Sequence, residues 1–300
     1  MKIVVAGGTG FIGEPLVEKL VSRQHDVAVL SRNPNKVRAG RGVLWDGKAA
    51  GPWTAEVDAA DAVINLAGEN IGAGRWTAER KRALVDSRLD ATNAIVKALL
   101  DAPRRDRVLV NASAVGYYGF DRQLPADEDA PKGSGFLADL VDLWERAAKR
   151  AESAARVVIL RFGVALGPNG GALEKMAMPF RFFVGGRVGS GHQWMSWVDR
   201  DDALSAIVRA VEEKLLRGVY NITSPNPVTN REFTKSLANV LHRPALFPVP
   251  AFVLRLVFGD MADEALLGGQ PAVPRRAEAA GFTLQFRNIE SALQHAFTDQ

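Results

Sequence analysis

Three hundred residues, 47% hydrophobic and 24% charged, supply one large globular domain or a core domain with a smaller companion, and exclude disordered and fibrous classes. Zero cysteines exclude disulfides, thiolate metal sites and cysteine nucleophiles, and the four histidines (His25, His192, His242, His295) show no HxxxH or HExxH spacing, so no metal is expected. The net charge of +4 is spread along the chain, and its densest basic run, Arg80-Lys81-Arg82 with Arg75 and Arg88, lacks the interleaved aromatics of a nucleic-acid platform.

No apolar run approaches the roughly 20 residues needed to cross a bilayer, and Met1-Lys2 leads straight into strand-like sequence, so a cytoplasmic protein without a membrane or nucleic-acid partner is expected. Periodicity predicts a strand at 2–6, a helix at 11–23 and a second strand at 26–30, which is a βαβ unit. Further apolar runs at 62–67, 107–113 and 156–162 read as strands covered on both faces, and 77–102 and 136–154 as long crossover helices. This alternation predicts an α/β fold with a Rossmann-type, doubly wound parallel sheet. Beyond about residue 165 glycine-rich turns break the rhythm, which predicts a smaller α+β C-terminal portion forming a substrate wall or lid. Helices are expected there at 197–214, with Asp199, Asp201 and Asp202 at its start, and at 230–241. The expected division is residues 1–165 with parts of 195–225 for the nucleotide-binding domain and 166–300 for the smaller portion, ending in a Pro-punctuated helical tail.

The turn after the first strand, Gly7-Gly8-Thr9-Gly10-Phe11-Ile12-Gly13, carries glycines three apart between a strand and a helix. There the first permits a tight turn, the second lets backbone approach a pyrophosphate, and the third lets helix pack on strand. Dinucleotide binding by Gly7, Thr9, Gly10, Phe11, Ile12 and Gly13 follows as an expectation. The second strand ends in Ser31-Arg32-Asn33 where an NAD-binding protein carries an acid for the ribose hydroxyl. A guanidinium at Arg32 suits a 2′-phosphate instead, so Ser31 and Arg32 point to NADP(H). Leu66, Ala67 and Gly68, at a strand end beside the crevice, are expected on the nicotinamide-ribose side.

GGTGFIG at residues 7–13, with Asn65-Leu66-Ala67-Gly68 and Asn111-Ala112-Ser113 at later strand ends, resembles the extended short-chain dehydrogenase/reductase superfamily. GENIGAGRWT (68–77), SAVGYYG (113–119), RFGVALGPNGGAL (161–173) and SWVDRDDA (196–203) resemble its atypical nucleoside-diphosphate-sugar epimerase-like family. The stretch 248–297 is similar to the C-terminal module of unknown function that this family carries. The resemblance implies an NADP(H)-dependent oxidoreductase or epimerase, monomeric or homodimeric, acting on a small molecule that the resemblance does not name.

The same resemblance exposes a departure. Reductases of the superfamily use a Tyr-xxx-Lys pair, yet the residues four beyond Tyr117, Tyr118 and Tyr220 are Asp121, Arg122 and Ser224. The equivalent helix puts Phe136 or Leu137 in the phenol position and Leu140 or Val141 in the ammonium position, and none of these moves a proton. The superfamily serine falls on Ser113 or Ala114, and the helix asparagine on Arg88. Ser113, Arg88 and Tyr117 therefore stand as catalytic candidates, with Arg88 and Ser113 also facing the cofactor. The missing pair equally suits a protein that binds NADP(H) without turnover and reports redox state to a partner.

Overall fold

Apolar residues on both faces of successive strands leave the sheet no solvent side, so helices cover it twice. The computed structural model describes residues 1–103 and 106–298. Its main sheet contains β1 (Lys2–Ala6), β2 (Asp26–Ser31), β3 (Arg41–Leu44), β4 (Ala62–Asn65), β5 (Val108–Ala114) and β6 (Arg156–Phe162). After the short strands β7 (Val164–Leu166), β8 (Trp194–Met195) and β9 (Trp197–Asp199), the chain returns to it with β10 (Gly218–Ile222). The order is β10-β6-β5-β4-β1-β2-β3, parallel throughout. The connection reverses beside β1, which opens a ligand crevice at the carboxyl ends of β1 and β4.

Helix α1 (Gly13–Ser22) covers one face of the sheet, while α2 (Thr54–Ala59) and α3 (Ala78–Asp101) cover the other, with α4 (Phe136–Lys149) beside α3. Helix α3 begins on Thr77, whose side chain accepts from the Arg80 N–H, an N-cap that satisfies one of the first-turn donors. Helices α5 (Gly171–Arg181) and α6 (Arg200–Glu212) follow, α6 lying beside α1.

The helix expected over 197–214 starts later, at Arg200. Trp197 and Val198 are buried and pair with Val164 and Ala165 in a parallel strand contact, while Asp199 caps α6 by accepting the Asp201 N–H at 2.7 Å. Burial of the tryptophan on a partner strand outweighs the helical spacing around it. Helix α1 also begins two residues late, because Phe11 and Ile12 belong to the glycine turn.

β11 (Val228–Thr229) pairs antiparallel with β8, and α7 (Asn230–Leu241) starts on a Thr229–Glu232 capping box. The tail holds α8 (Ala251–Phe258), a π-helical turn at Ala262–Leu266, α9 (Arg275–Ala279) and α10 (Ile289–Thr298). It is tied back across the sheet. Glu128 accepts the N–H groups of Asn221, Arg276 and Ala277, and Asp202 those of Gln285 and Phe286. Among the described residues, no helix is long and apolar enough to cross a membrane.

Candidate active site and nucleotide cleft

The glycine turn has three separate steric reasons. Gly7 sits at φ +80°, and a Cβ there would lie 2.7 Å from the Leu66 carbonyl, so the turn presses against the end of β4. A Cβ on Gly13 would meet the Gly8 Cα at 2.7 Å, which fixes how closely α1 approaches β1. Gly10 differs, since the only neighbour of a Cβ there is the Gly7 oxygen at an ordinary 3.4 Å. The protein leaves room at Gly10 and fills it at the other two. The N–H groups of Phe11, Ile12 and Gly13 find no acceptor among the described residues, leaving a helix N-terminus with free donors beside that space. The Phe11 ring closes the turn from above, with the Arg200 guanidinium 5.1 Å from its centroid and Gly170 and Gly171 against it.

Ser31 uses its hydroxyl to accept the Asn33 N–H at 3.1 Å, shaping the turn that presents Arg32. Arg32 is exposed and forms no ion pair among the described residues. At the end of β4, Ala67 donates to the Asn65 side chain. The next peptide is held at both ends by α3: Ser87 Oγ accepts the Glu69 N–H and Arg88 Nη2 donates to the Glu69 carbonyl, each at 3.1 Å. Gly68 lies against the Arg88 side chain, where a Cβ would stand 3.1 Å from the guanidinium carbon.

Arg88 is buried, stacks over Trp144 at 5.2 Å and gives its other hydrogen bond to the Leu84 carbonyl. It pairs with no carboxylate among the described residues. Burial, and then the nearby Arg80 charge, push its pKa down to about 10, so it stays cationic at neutral pH. A buried cation satisfied only by carbonyls, next to the strand-end loop, retains attraction for an anion.

Ser113 is buried at the end of β5 and donates to Glu145 Oε1 at 2.6 Å. Glu145 in turn holds Arg161 through two bonds, at 2.7 and 2.8 Å. Arg161 continues to the Tyr118 hydroxyl at 2.9 Å, and Tyr118 donates to Asn221 Oδ1 at 2.8 Å. Three of these residues lie side by side across the sheet, because Ser113 pairs in register with Arg161 and Arg161 with Asn221. Burial opposes charge on Arg161, but Glu145 outweighs it and the guanidinium is held above its ordinary range. Burial likewise raises the Tyr118 phenol despite the neighbouring cation. In this geometry the Ser113 hydroxyl proton points to Glu145. Tyr117 remains half-buried, its ring 3.5 Å from the Arg161 guanidinium and edge-on to Tyr118.

A Cβ on Gly116 would lie 3.5 Å from Leu137 and 4.0 Å from Val141, so these two side chains face the Ser113–Tyr118 segment. Phe136, Leu137 and Leu140 all pack with the cluster of Trp76, Leu84 and Met261, so Leu137 touches both sides. Glu145 follows Val141 by one further turn on the same face. The N-terminus of α4 is capped by the tail, as Glu264 accepts the Phe136 and Leu137 N–H groups at 3.0 and 2.9 Å.

Glu145, Arg161, Asn221 and Glu264 were not singled out from sequence. A signal was present for the first two: a glutamate among the apolar positions of α4, and an arginine inside the otherwise apolar run RVVILRF. Glu264 gives no such signal, since its partners lie 127 and 128 residues away. His192 is exposed on its loop.

A parallel sheet with a glycine-lined turn at its switch point, and a polar cluster beside it in place of a Tyr-Lys pair, defines a nucleotide-binding α/β protein of the short-chain dehydrogenase/reductase type. The chain belongs to the NAD dependent epimerase/dehydratase family, matched over residues 3–223, and residues 249–296 match a domain of unknown function (DUF1731). It is 38% identical to bovine epimerase family protein SDR39U1, with 98% of this chain and 99% of that protein aligned. It is also 38% identical to the Bacillus subtilis epimerase family protein YfhF, with 100% and 99% aligned. The crystal structure of human SDR39U1 (isoform 2) with NADPH superposes with a TM-score of 0.90 at 35% identity, each chain covered completely.

Proposed function

We propose that this chain binds NADP(H) and acts as an oxidoreductase or epimerase on a small molecule, without the proton relay of the Tyr-Lys reductases. The observation that carries the reading is the Gly10 space: room for a Cβ beside three free helix-terminal N–H groups, in a turn otherwise packed tight. The structural relative crystallised with NADPH supports the same cofactor. Gly7, Thr9, Gly10, Phe11, Ile12 and Gly13 would hold the pyrophosphate, and Ser31 with Arg32 the 2′-phosphate. Leu66, Ala67, Gly68 and Arg88 would line the ribose-nicotinamide side. The bound nicotinamide supplies hydride transfer.

On the substrate side, Arg88 contributes a buried positive charge and Tyr117 a phenol, while Ser113 orients Glu145. Residues 1–165 with parts of 195–225 carry the nucleotide, and 166–300 wall the substrate. The protein works as a monomer or homodimer in the cytoplasm.

A second reading is favoured by α4, where Phe136 or Leu137 and Leu140 or Val141 put hydrocarbon at the positions at which the resemblance expects an acid and a base. On that reading the chain binds NADP(H) and signals without turnover. NADPH fluorescence titration of the full chain tests the shared part: saturable binding is expected, and its absence would overturn both. NADPH oxidation across a carbonyl library then separates them, turnover supporting the enzyme and ligand-dependent association with a partner supporting the sensor.

A further inference from the structure

We infer that the C-terminal portion carries a second ligand site, for a phosphorylated organic anion. A cavity of about 640 Å³ lies between α7 and the 243–248 segment, with Arg187 at its edge, within the usual range for small-molecule sites. It shares no residue with the glycine turn, the strand ends or the Ser113 cluster. Four cations border it, Arg187, Arg231, Lys235 and Arg243, and among the described residues no Asp or Glu does. None of the four forms an ion pair with a carboxylate among the described residues.

All four cations are solvent-exposed, so their mutual repulsion is screened and modest, and what they offer is a converging positive field: Arg231 and Lys235 stand one helical turn apart on α7, with Arg187 and Arg243 across the opening. The neighbourhood is also fixed in place: Arg231 N–H donates to the Gly191 carbonyl at 2.9 Å, and Val188 N–H to Asn230 Oδ1 at 2.8 Å. Arg187 is steadied by its bond to the Ser190 carbonyl at 2.6 Å, and Arg243 by stacking on Phe183 at 4.7 Å.

Arginine forks match phosphate oxygens in pairs, and Thr234 and Asn239 add neutral hydrogen-bonding groups. The rest of the lining is apolar, with Leu246 71% exposed at its rim and Phe247 beside it at 56%. A phosphate head with an apolar body fits both halves. Its source is either a soluble phosphorylated metabolite or a lipid headgroup.

The test uses the full chain with excess NADPH present, so that the glycine turn does not compete. Inorganic pyrophosphate is titrated by calorimetry, and vesicles of phosphatidylcholine, with and without phosphatidic acid, are sedimented in parallel. Saturable, salt-sensitive binding is expected, weakened about tenfold or more in both Arg231→Gln and Lys235→Gln, with NADPH affinity unchanged. Pyrophosphate binding without vesicle binding assigns a soluble ligand. Phosphatidic-acid-dependent sedimentation that the same substitutions abolish assigns a headgroup. Either outcome upholds the site. No saturable binding of either probe, or binding that survives both substitutions, overturns it.

Discussion

Ser113 donates to the same carboxylate of Glu145 that neutralises Arg161, so one buried anion serves a hydroxyl and a cation that stand in register at the carboxyl ends of β5 and β6. The two ionic side chains are 2% and 4% exposed. At that burial, losing one partner strands the other. Glu145→Ala is expected to cost about 3–5 kcal/mol, because the Arg161 charge keeps only the Tyr118 hydroxyl. Ser113→Ala removes one charge-assisted hydrogen bond and should cost about 1.5–3 kcal/mol. Urea denaturation of both variants checks the order, and equal losses would mean that Glu145 is not the centre of the cluster.

The sheet was readable because its strands are continuous apolar runs: 2–6 and 156–162 coincide with β1 and β6. β3 and α2 offered no such pattern, as Arg41–Leu44 is half exposed on the sheet edge and α2 has only six residues. The nucleotide turn was legible for a local reason, since its spaced glycines all fall within seven residues between a strand and a helix. The Ser113 cluster was not, because Glu145, Arg161 and Asn221 meet only through sheet register and helix packing, over separations that a linear pattern does not encode.

Glu264 gives a test of what the tail does. Its carboxylate is the cap of α4, at the positively polarised end of the helix. Glu264→Ala should lower stability by about 0.5–2 kcal/mol and raise protease sensitivity of the 248–297 tail. Glu264→Gln retains an acceptor and should fall between the two. A tail whose susceptibility is unchanged in Glu264→Ala would show that docking rests on Met261 and the apolar contacts alone.

Gly10 and Gly13 should fail in different ways. Gly10→Val has space within the protein, so the chain is expected to fold with native circular dichroism and lose NADPH binding. Gly13→Ala forces a Cβ into the Gly7–Gly8 backbone, so it should lose stability as well as nucleotide. Normal NADPH affinity in a folded Gly10→Val protein would remove the turn from the site.

Arg32 is exposed and has no ionic partner among the described residues, so its removal should cost little stability. A charged hydrogen bond of about 1.5–3 kcal/mol corresponds to roughly 10- to 150-fold in affinity. Arg32→Ala is therefore expected to lose most of a preference for NADPH while NADH affinity stays nearly constant. Parallel weakening of both cofactors would assign Arg32 to the shape of the turn rather than to phosphate recognition.

The last prediction concerns chemistry. Leu137 and Val141 face the Ser113–Tyr118 segment, so neither can deliver a proton to a substrate held there. Losing a positioned general acid costs about 10²- to 10⁴-fold, and slow or absent turnover is expected on simple ketones and nucleoside-diphosphate sugars. A conjugated or cationic acceptor demands less protonation as hydride arrives, and should react faster. On the proposed reading the buried charge of Arg88 would stabilise developing negative charge, and the half-buried Tyr117 phenol would serve as a proton donor. Steady-state rates with NADPH should therefore rank conjugated acceptors above ketones, and Tyr117→Phe and Arg88→Met should each lower the residual rate with NADPH affinity measured alongside. Rapid reduction of a simple ketone, indifferent to both substitutions, would move the active site elsewhere in the cleft.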